Sequence, residues 1–271
     1  MRYLNFTDKT LVMGVINTTP DSFSDGGQFA TIDNAFCHAQ QLIEDGVDIL
    51  DIGGESTRPG SKSVGLSEEL ARTIPLIESI RKISDIPISI DTNKPKVMQQ
   101  AIFAGANLIN SISALQLDNS LEIAADLDVP VGLMHMQGTP ETMQKEPAYN
   151  DVVVEVKTFL QNRIDAAISA GIKEHNIIID PGFGFGKTLE HNLKLLKSLP
   201  EFKALGFPVL VGMSRKKMIG TILDKPVEER LQGSVSSAVI AAMLGADIIR
   251  VHDVAETVDA IKIVNALSQV A

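Results

Sequence analysis

The sequence predicts an α/β protein folded as a (β/α)8 TIM barrel, a closed parallel sheet with outer helices. Three observations predict it. Eight short apolar runs alternate with helical stretches, as a parallel sheet built from strand–helix units requires. Each run ends on a polar residue: Asn17, Asp51, Asp91, Asn110, His135, Asp180, Ser214 and the pair Arg250/His252. A helix-to-strand entry also recurs, as Gly46-Val47-Asp48-Ile49-Leu50-Asp51, Gly105-Ala106-Asn107-Leu108-Ile109-Asn110 and Gly245-Ala246-Asp247-Ile248-Ile249-Arg250. A closed barrel gathers the C-terminal ends of its strands at one mouth, so the polar endings would converge on one pocket. A doubly wound open sheet is the alternative arrangement of the same units.

The first run, Leu11 to Ile16, is continuous rather than alternating, as a strand covered on both faces requires. A polar loop from Thr18 to Gln28 follows, then a helix from Asp33 to Asp45 that Gly46 ends. Ile49 to Gly54 is the second strand. The loop Glu55 to Gly65 leads to a helix from about Ser67, where Ser67 would cap and Glu68 and Glu69 put acids in the first turn. Pro87 to Ile90 is the third strand, with a helix beginning near Lys94-Pro95, and Leu108-Ile109 is the fourth. Pro130 to Met134 is the fifth, followed by the longest helical pattern, Asn150 to Ala170. Ile177 to Ile179, Pro208 to Met213 and Asp247 to Val251 complete the strands, and helices near 188–199, 228–244 and 255–268 complete the alternation. No linker or low-complexity segment divides the chain, so residues 1–271 read as a single domain.

Composition narrows the function. The chain has 271 residues, of which 44% are hydrophobic and 21% charged, an ordinary globular balance. A barrel of roughly 250 residues fits that length. The net charge of −10 argues against a general nucleic-acid or membrane binder. With no tryptophan and two tyrosines, the chain lacks the aromatics of a single-strand stacking platform. One cysteine, Cys37, excludes an intrachain disulfide and points to a reducing compartment; it reads as a small packing residue of the first helix. The N-terminal residues show neither signal peptide nor spanning segment, so a cytoplasmic protein is expected.

Two long loops stand out. Residues 17–27 and 53–62 exceed the roughly 2–6 residues of most βα loops, and long loops at a catalytic face are commonly lids or binding loops. Asn17 could satisfy backbone groups or lend its amide oxygen to Mg²⁺, which takes few protein ligands. Asp91, Asn110 and Asp180 could be structural polar residues, or together could hydrogen-bond a planar, amide-like heterocycle. Asp180 heads Asp180-Pro181-Gly182-Phe183-Gly184-Phe185-Gly186-Lys187, whose glycines allow close backbone approach but lack the spacing of a Walker phosphate loop. Ser214-Arg215-Lys216-Lys217 and Arg250-Val251-His252 follow strands seven and eight, where barrels often hold phosphate. Strand alternation puts Arg250 and His252 on one face, two donors suited to a diphosphate. His135 has no acid or serine at a triad spacing and reads as pocket wall or a layer behind it.

The segment Asn17 to Gly27 resembles the first signature of the dihydropteroate synthase family, and Asp48 to Gly60 resembles the second. Ile90-Asp91-Thr92, Asp180 to Lys187, Gly212 to Lys216 and Arg250 to Asp253 resemble the later blocks, in order, from about residue 11 to 265. Thr18, where valine is frequent, is a mild departure. The resemblance implies a folate-pathway transferase that joins (7,8-dihydropterin-6-yl)methyl diphosphate to 4-aminobenzoate, giving 7,8-dihydropteroate and diphosphate. Carried over by position, Asp91, Asn110, Asp180 and Lys216 would hold the pterin and Asn17 would ligate Mg²⁺. Thr57, Arg58, Arg250 and His252 would contact the diphosphate or the loop-built pocket around it. Ser214, Pro59 and Phe185 would border the aminobenzoate.

The implied chemistry breaks the bond to diphosphate first, through a pterin-stabilised cation. Asp91, Asp180, Lys216, Arg250 and His252 would act in catalysis. The arylamine is neutral at pH 7, so it needs no strong general base. The resemblance also implies a homodimer through late helices, for which Gly233 to Leu244 is a candidate, and sulfonamides as competitors of aminobenzoate. Two other readings keep the pocket but not this chemistry: a pterin-binding module of a methyltetrahydrofolate:corrinoid methyltransferase system, and a non-catalytic pterin binder.

Overall fold

The computed structural model describes residues 9–18, 28–57, 60–61 and 63–270, with backbone alone for 28–31. Eight strands form one sheet: β1 (Leu11–Asn17), β2 (Ile49–Gly53), β3 (Ile88–Asp91), β4 (Leu108–Ser111), β5 (Val131–Met134), β6 (Ile177–Asp180), β7 (Leu210–Val211) and β8 (Ile248–Val251). The order is β6-β5-β4-β3-β2-β1-β8-β7, every pairing parallel. A parallel bridge between Ile179 and Val209 closes the ends into a barrel. Pro208 has no N–H to give, and its carbonyl instead accepts from the Ile179 N–H at 2.9 Å. The seam between β6 and β7 is accordingly the thinnest part of the wall, and β7 is shorter than the apolar run around it.

The helices are α1 (Gln28–Glu44), α2 (Leu66–Arg81), α3 (Pro95–Ala104), α4 (Ser120–Leu127), α5 (Val152–Ser169), α6 (Leu189–Lys197), α7 (Leu199–Lys203), α8 (Lys217–Leu223), α9 (Leu231–Met243) and α10 (Val254–Ser268). Local chemistry accounts for several ends. Asp151 caps α5 by accepting from the N–H groups of Val153 and Val154, and Thr188 with His191 forms a capping box on α6. The expected Ser67 cap is not formed: α2 begins one residue earlier, with Gly65 in the cap position and no side-chain bond. Cys37 is exposed, contrary to its reading as a packing residue. The buried face of α1 is Ala35, Ala39 and Leu42 at i, i+4 and i+7, and Cys37 lies off that stripe.

The recurring helix-to-strand entry has a structural cause. Gly46, Gly105 and Gly245 all adopt positive φ (86°, 116° and 100°), the left-handed turn that ends a helix without steric cost. The polar residue two places on ties the strand entry to its neighbour. Asp48 accepts from the Val12 N–H at 2.9 Å, Asn107 from Ile88 at 3.0 Å and Asp247 from Val209 at 2.7 Å. A cation backs each of them: Lys9, Arg81 and Lys203.

Two apolar layers then fix where a ligand can go. Most buried side chains fill the space between sheet and helices. Leu11, Met13, Ile49, Leu108, Ile178, Leu210 and Ile248 form a separate cluster inside the barrel. That plug occupies the N-terminal half of the bore, so the free volume is at the C-terminal mouth.

Candidate active site

Strand register assembles the mouth. Asn17 pairs with Gly53, Gly53 with Asp91, Asp91 with Asn110, and Asn110 with Gly132, one lateral row across five strands. Of the two glycines in it, Gly132 makes room, whereas Gly53 would take a Cβ at ordinary contact distance. A Cβ on Gly53 would lie 3.7 Å from the Asp91 Cβ and 3.9 Å from Asn17 Oδ1. A Cβ on Gly132 would lie 3.0 Å from Asn110 Oδ1, so only glycine leaves that amide its place without displacement. The row below holds Asp51 and Ser89, again register partners.

Arg250 rises from β8 into this layer. Its Nε donates to Asp51 Oδ2 at 2.6 Å and its Nη2 to Asp91 Oδ2 at 2.9 Å. Burial alone would lower the guanidinium pKa, but the two carboxylates outweigh it and raise the value. Asp51 is fully buried, and its Oδ1 has no hydrogen-bond partner. No role follows for Asp51 from its sequence motif, although its place at a strand end was legible. Burial pushes the Asp91 carboxyl up to about 7, against the opposing pull of Arg250 and with added repulsion from Asp51, Glu69 and Glu55.

The loop after β6 supplies the opposite wall. Asp180 Oδ1 accepts from the Gly182 N–H at 2.7 Å, and burial raises the Asp180 pKa despite that bond and the nearby Lys216. Gly182, Gly184 and Gly186 all have positive φ. A Cβ on Gly182 would sit 1.9 Å from the His135 carbonyl oxygen, and one on Gly186 would sit 2.5 Å from that of Gln137. The loop thus lies flat against the chain after β5. Lys216 donates to the Phe183 carbonyl, and its Nζ lies 4.4 Å from the Phe185 ring centroid, a cation–π contact. Burial lowers the Lys216 pKa to about 8, opposed by Asp180 and Asp91.

Lys187 holds this loop from behind. Its ammonium, almost wholly buried, reaches the carbonyls of Gly182 and Phe185 and the Nδ1 of His135, each at 2.9 Å. Burial brings Lys187 down to about 7, and burial with Lys187 brings His135 down to about 3. His135 is therefore neutral and sits in a layer behind the pocket, edge-on to Phe159 at 4.9 Å. Sequence reasoning gave Lys187 no task, since one lysine ending a glycine-rich run does not disclose what its ammonium meets.

On the remaining side, Ser214 Oγ lies 3.1 Å from His252 Nδ1 and accepts from the His252 N–H at 3.2 Å. Arg215 turns away to pair with Asp253. Thr18 donates its hydroxyl to the Gly53 carbonyl at 3.1 Å, tying the chain just past β1 to the end of β2. Thr57 is half-buried at the start of the second loop. Arg58, Pro59 and the stretch 19–27 lie outside the described residues.

Comparison with known proteins decides the family. A family model described as "Pterin binding enzyme" matches residues 13–252. The dihydropteroate synthase of Haemophilus influenzae is 52% identical over 252 residues, which cover 93% of this chain and 92% of that one. The chain belongs to the dihydropteroate synthase family. It is accordingly a transferase. Among solved structures, the Yersinia pestis dihydropteroate synthase in a sulfonamide complex superposes with TM-score 0.93 at 48% identity, covering 98% of this chain and 97% of the other. The Xanthomonas albilineans enzyme in complex with 7,8-dihydropteroate gives 0.89 at 46%, covering 99% and 97%.

Proposed function

We propose that the barrel mouth carries out dihydropteroate synthesis with the residues assembled there, the whole chain acting as one pterin-binding domain. The observation that carries this is the row Asn17, Asp91 and Asn110 facing Asp180 and Lys216, with Arg250 rising between Asp51 and Asp91. Asp91, Asn110 and Asp180 present acceptors and an amide to the polar edge of the pterin, and Lys216 donates beside them. The carbon–oxygen bond to diphosphate breaks with its electron pair leaving on oxygen. The buried carboxylates of Asp91 and Asp180 then face a cationic methylene in a site where charges interact strongly. Two of the five guanidinium donors of Arg250 are engaged by Asp51 and Asp91, leaving others, with His252, for the departing diphosphate. Thr57 and Arg58 lie on the loop that completes that pocket. Phe185, Ser214 and Pro59 border 4-aminobenzoate, whose amine attacks the methylene and releases its extra proton to solvent.

The donor chemistry at the mouth also suits Mg²⁺. Asn17 offers a hard amide oxygen at the rim. Mg²⁺ takes few protein ligands, so Asn17 would hold it together with substrate and water oxygens. When bound, Mg²⁺ would neutralise charge on the diphosphate.

Purified protein supplied with Mg²⁺, the pterin diphosphate and 4-aminobenzoate should release diphosphate and form dihydropteroate in equal amounts. Tight pterin binding without product would replace the transferase reading with a binding one. No helix among the described residues is long and apolar enough to cross a membrane, and a cytoplasmic location is proposed. A homodimer is proposed as well, supported by the exposed Ile222 and Leu223 on α8 and Ile240 and Met243 on α9. Sedimentation at micromolar concentration tests it.

A further inference from the structure

Arg250 reaches the mouth from deeper in the barrel. Met13, Val15 and Asn17 mark three successive rows of the sheet. Arg250 pairs with Met13, Asp51 pairs with Val15, and Asp91 joins the third row through Gly53, the partner of Asn17. Each row adds roughly 7 Å along a strand, so the guanidinium has to climb past Asp51 to touch Asp91. Met13 belongs to the apolar plug and offers it nothing polar. On the β7 side the neighbour is Gly212, where even an added Cβ would stay 3.6 Å from the Arg250 Cβ. The guanidinium is held by its two carboxylates, and both stand on the β2–β3 side.

The two carboxylates act differently. Asp51 takes the Nε proton and Asp91 takes one on Nη2. A single contact fixes one point of a planar guanidinium. Contacts on two of its nitrogens fix its plane, and the plane sets where the remaining donors point. Asp91 also faces the pterin in the proposed reaction, whereas Asp51 is wholly buried one row beneath and closed to a ligand. Among the described residues Arg250 is the one hydrogen-bond partner of the Asp51 side chain, since Asp51 Oδ1 and the Oγ of its register partner Ser89 make no bond. A carboxylate buried with one partner adds little stability, because desolvation offsets the Coulomb gain. What it does strongly is decide where the guanidinium sits.

We propose that Asp51 is a positioning residue for the reaction: by holding Arg250 at Nε it aims the free guanidinium donors at the departing diphosphate, without touching substrate itself. This rests on the reading that Arg250 meets the diphosphate. Misplacing such a group by about 1 Å can cost up to about a hundredfold in rate. Asp51→Asn keeps the shape and one acceptor oxygen but removes the charge, so a loss of about tenfold in kcat/KM for the pterin diphosphate is expected. Affinity for the corresponding dihydropterin alcohol, which lacks the diphosphate, should change less than about twofold. In an Arg250→Met background Asp51→Asn should cost no further activity even as it restores stability, because both residues act through one contact. Equal losses for the two pterins, a tighter hold on the diphosphate substrate, or additive losses of activity in the double variant would overturn the proposal. Should either variant fail to fold, proton exchange in the unsubstituted protein decides. The Arg250 Nε proton should stay protected from solvent with and without inorganic diphosphate, and fast exchange once diphosphate is added would overturn the proposal. Absence of diphosphate release by the unsubstituted protein would instead refute the functional reading itself.

Discussion

Arg250 joins two carboxylates from other strands, and removing it should be costly for a reason that can be worked through. Asp51 is fully buried, its Oδ1 is already unpartnered, and its Oδ2 depends on Arg250. Arg250→Met keeps the apolar stem but strands that charge. Breaking a buried pair by deleting one partner costs about 3–5 kcal/mol. The guanidinium side chain is 21% exposed, so water relieves part of this and about 3 kcal/mol is expected. In urea, with a slope of about 3 kcal/mol per molar for a chain of this size, the midpoint should fall by about 1 M. Pairing Asp51→Asn with Arg250→Met removes both charges and should recover more than half of the loss. The sign of the pH dependence also follows. Without Arg250, the influence that holds Asp91 down is gone, so its pKa climbs further above about 7. The folded state then takes up protons more readily than the unfolded chain, and the deficit should shrink as pH falls through that range. A change under about 0.5 kcal/mol for the single variant, or a double variant worse than the single one, would refute the reasoning.

Three further outcomes are expected. The rate constant kcat/KM should rise toward pH 7 as Asp91 ionises and fall above about pH 8 as Lys216 loses its proton; a flat profile from pH 6 to 9 would count against both roles. Gly182→Ala should cost about 3 kcal/mol or more in urea unfolding, since its Cβ would meet the His135 carbonyl at 1.9 Å with φ at +72°. Lys187→Met should cost about 3 kcal/mol near pH 7 by leaving two carbonyls and the His135 Nδ1 unpaired. Because the folded Lys187 pKa lies near 7 and its ordinary value near 10.5, the unfolded chain holds the extra proton between those values. The native protein should therefore gain stability relative to the variant as pH rises from 7 to 10.

Much of the barrel could be read from the chain because its rules are local. A continuous apolar run marks a strand covered on both faces, and glycine at positive φ marks the turn into it. The repeated Asp or Asn after that turn was visible as a pattern, and the structure shows its work: each ties a strand entry to the preceding strand. Local reasoning failed where two local options competed. Ser67 and Gly65 both suit the start of α2, and the chain uses Gly65. Cys37 has a residue type common in cores, but its angular position on α1 puts it outside.

The sequence by itself determined the class of fold, the family, and which polar side chains stand at strand ends. It did so because strand period, helix punctuation and signature blocks are properties of neighbours in the chain. Only the tertiary structure decided who meets whom across the mouth. Asp51 and Arg250 are 199 positions apart, and their contact depends on the parallel register and on barrel closure. The same holds for Lys187 behind the β6 loop. A hydrogen bond needs a partner within about 3 Å, and that distance exists only after eight strands have been brought into one ring.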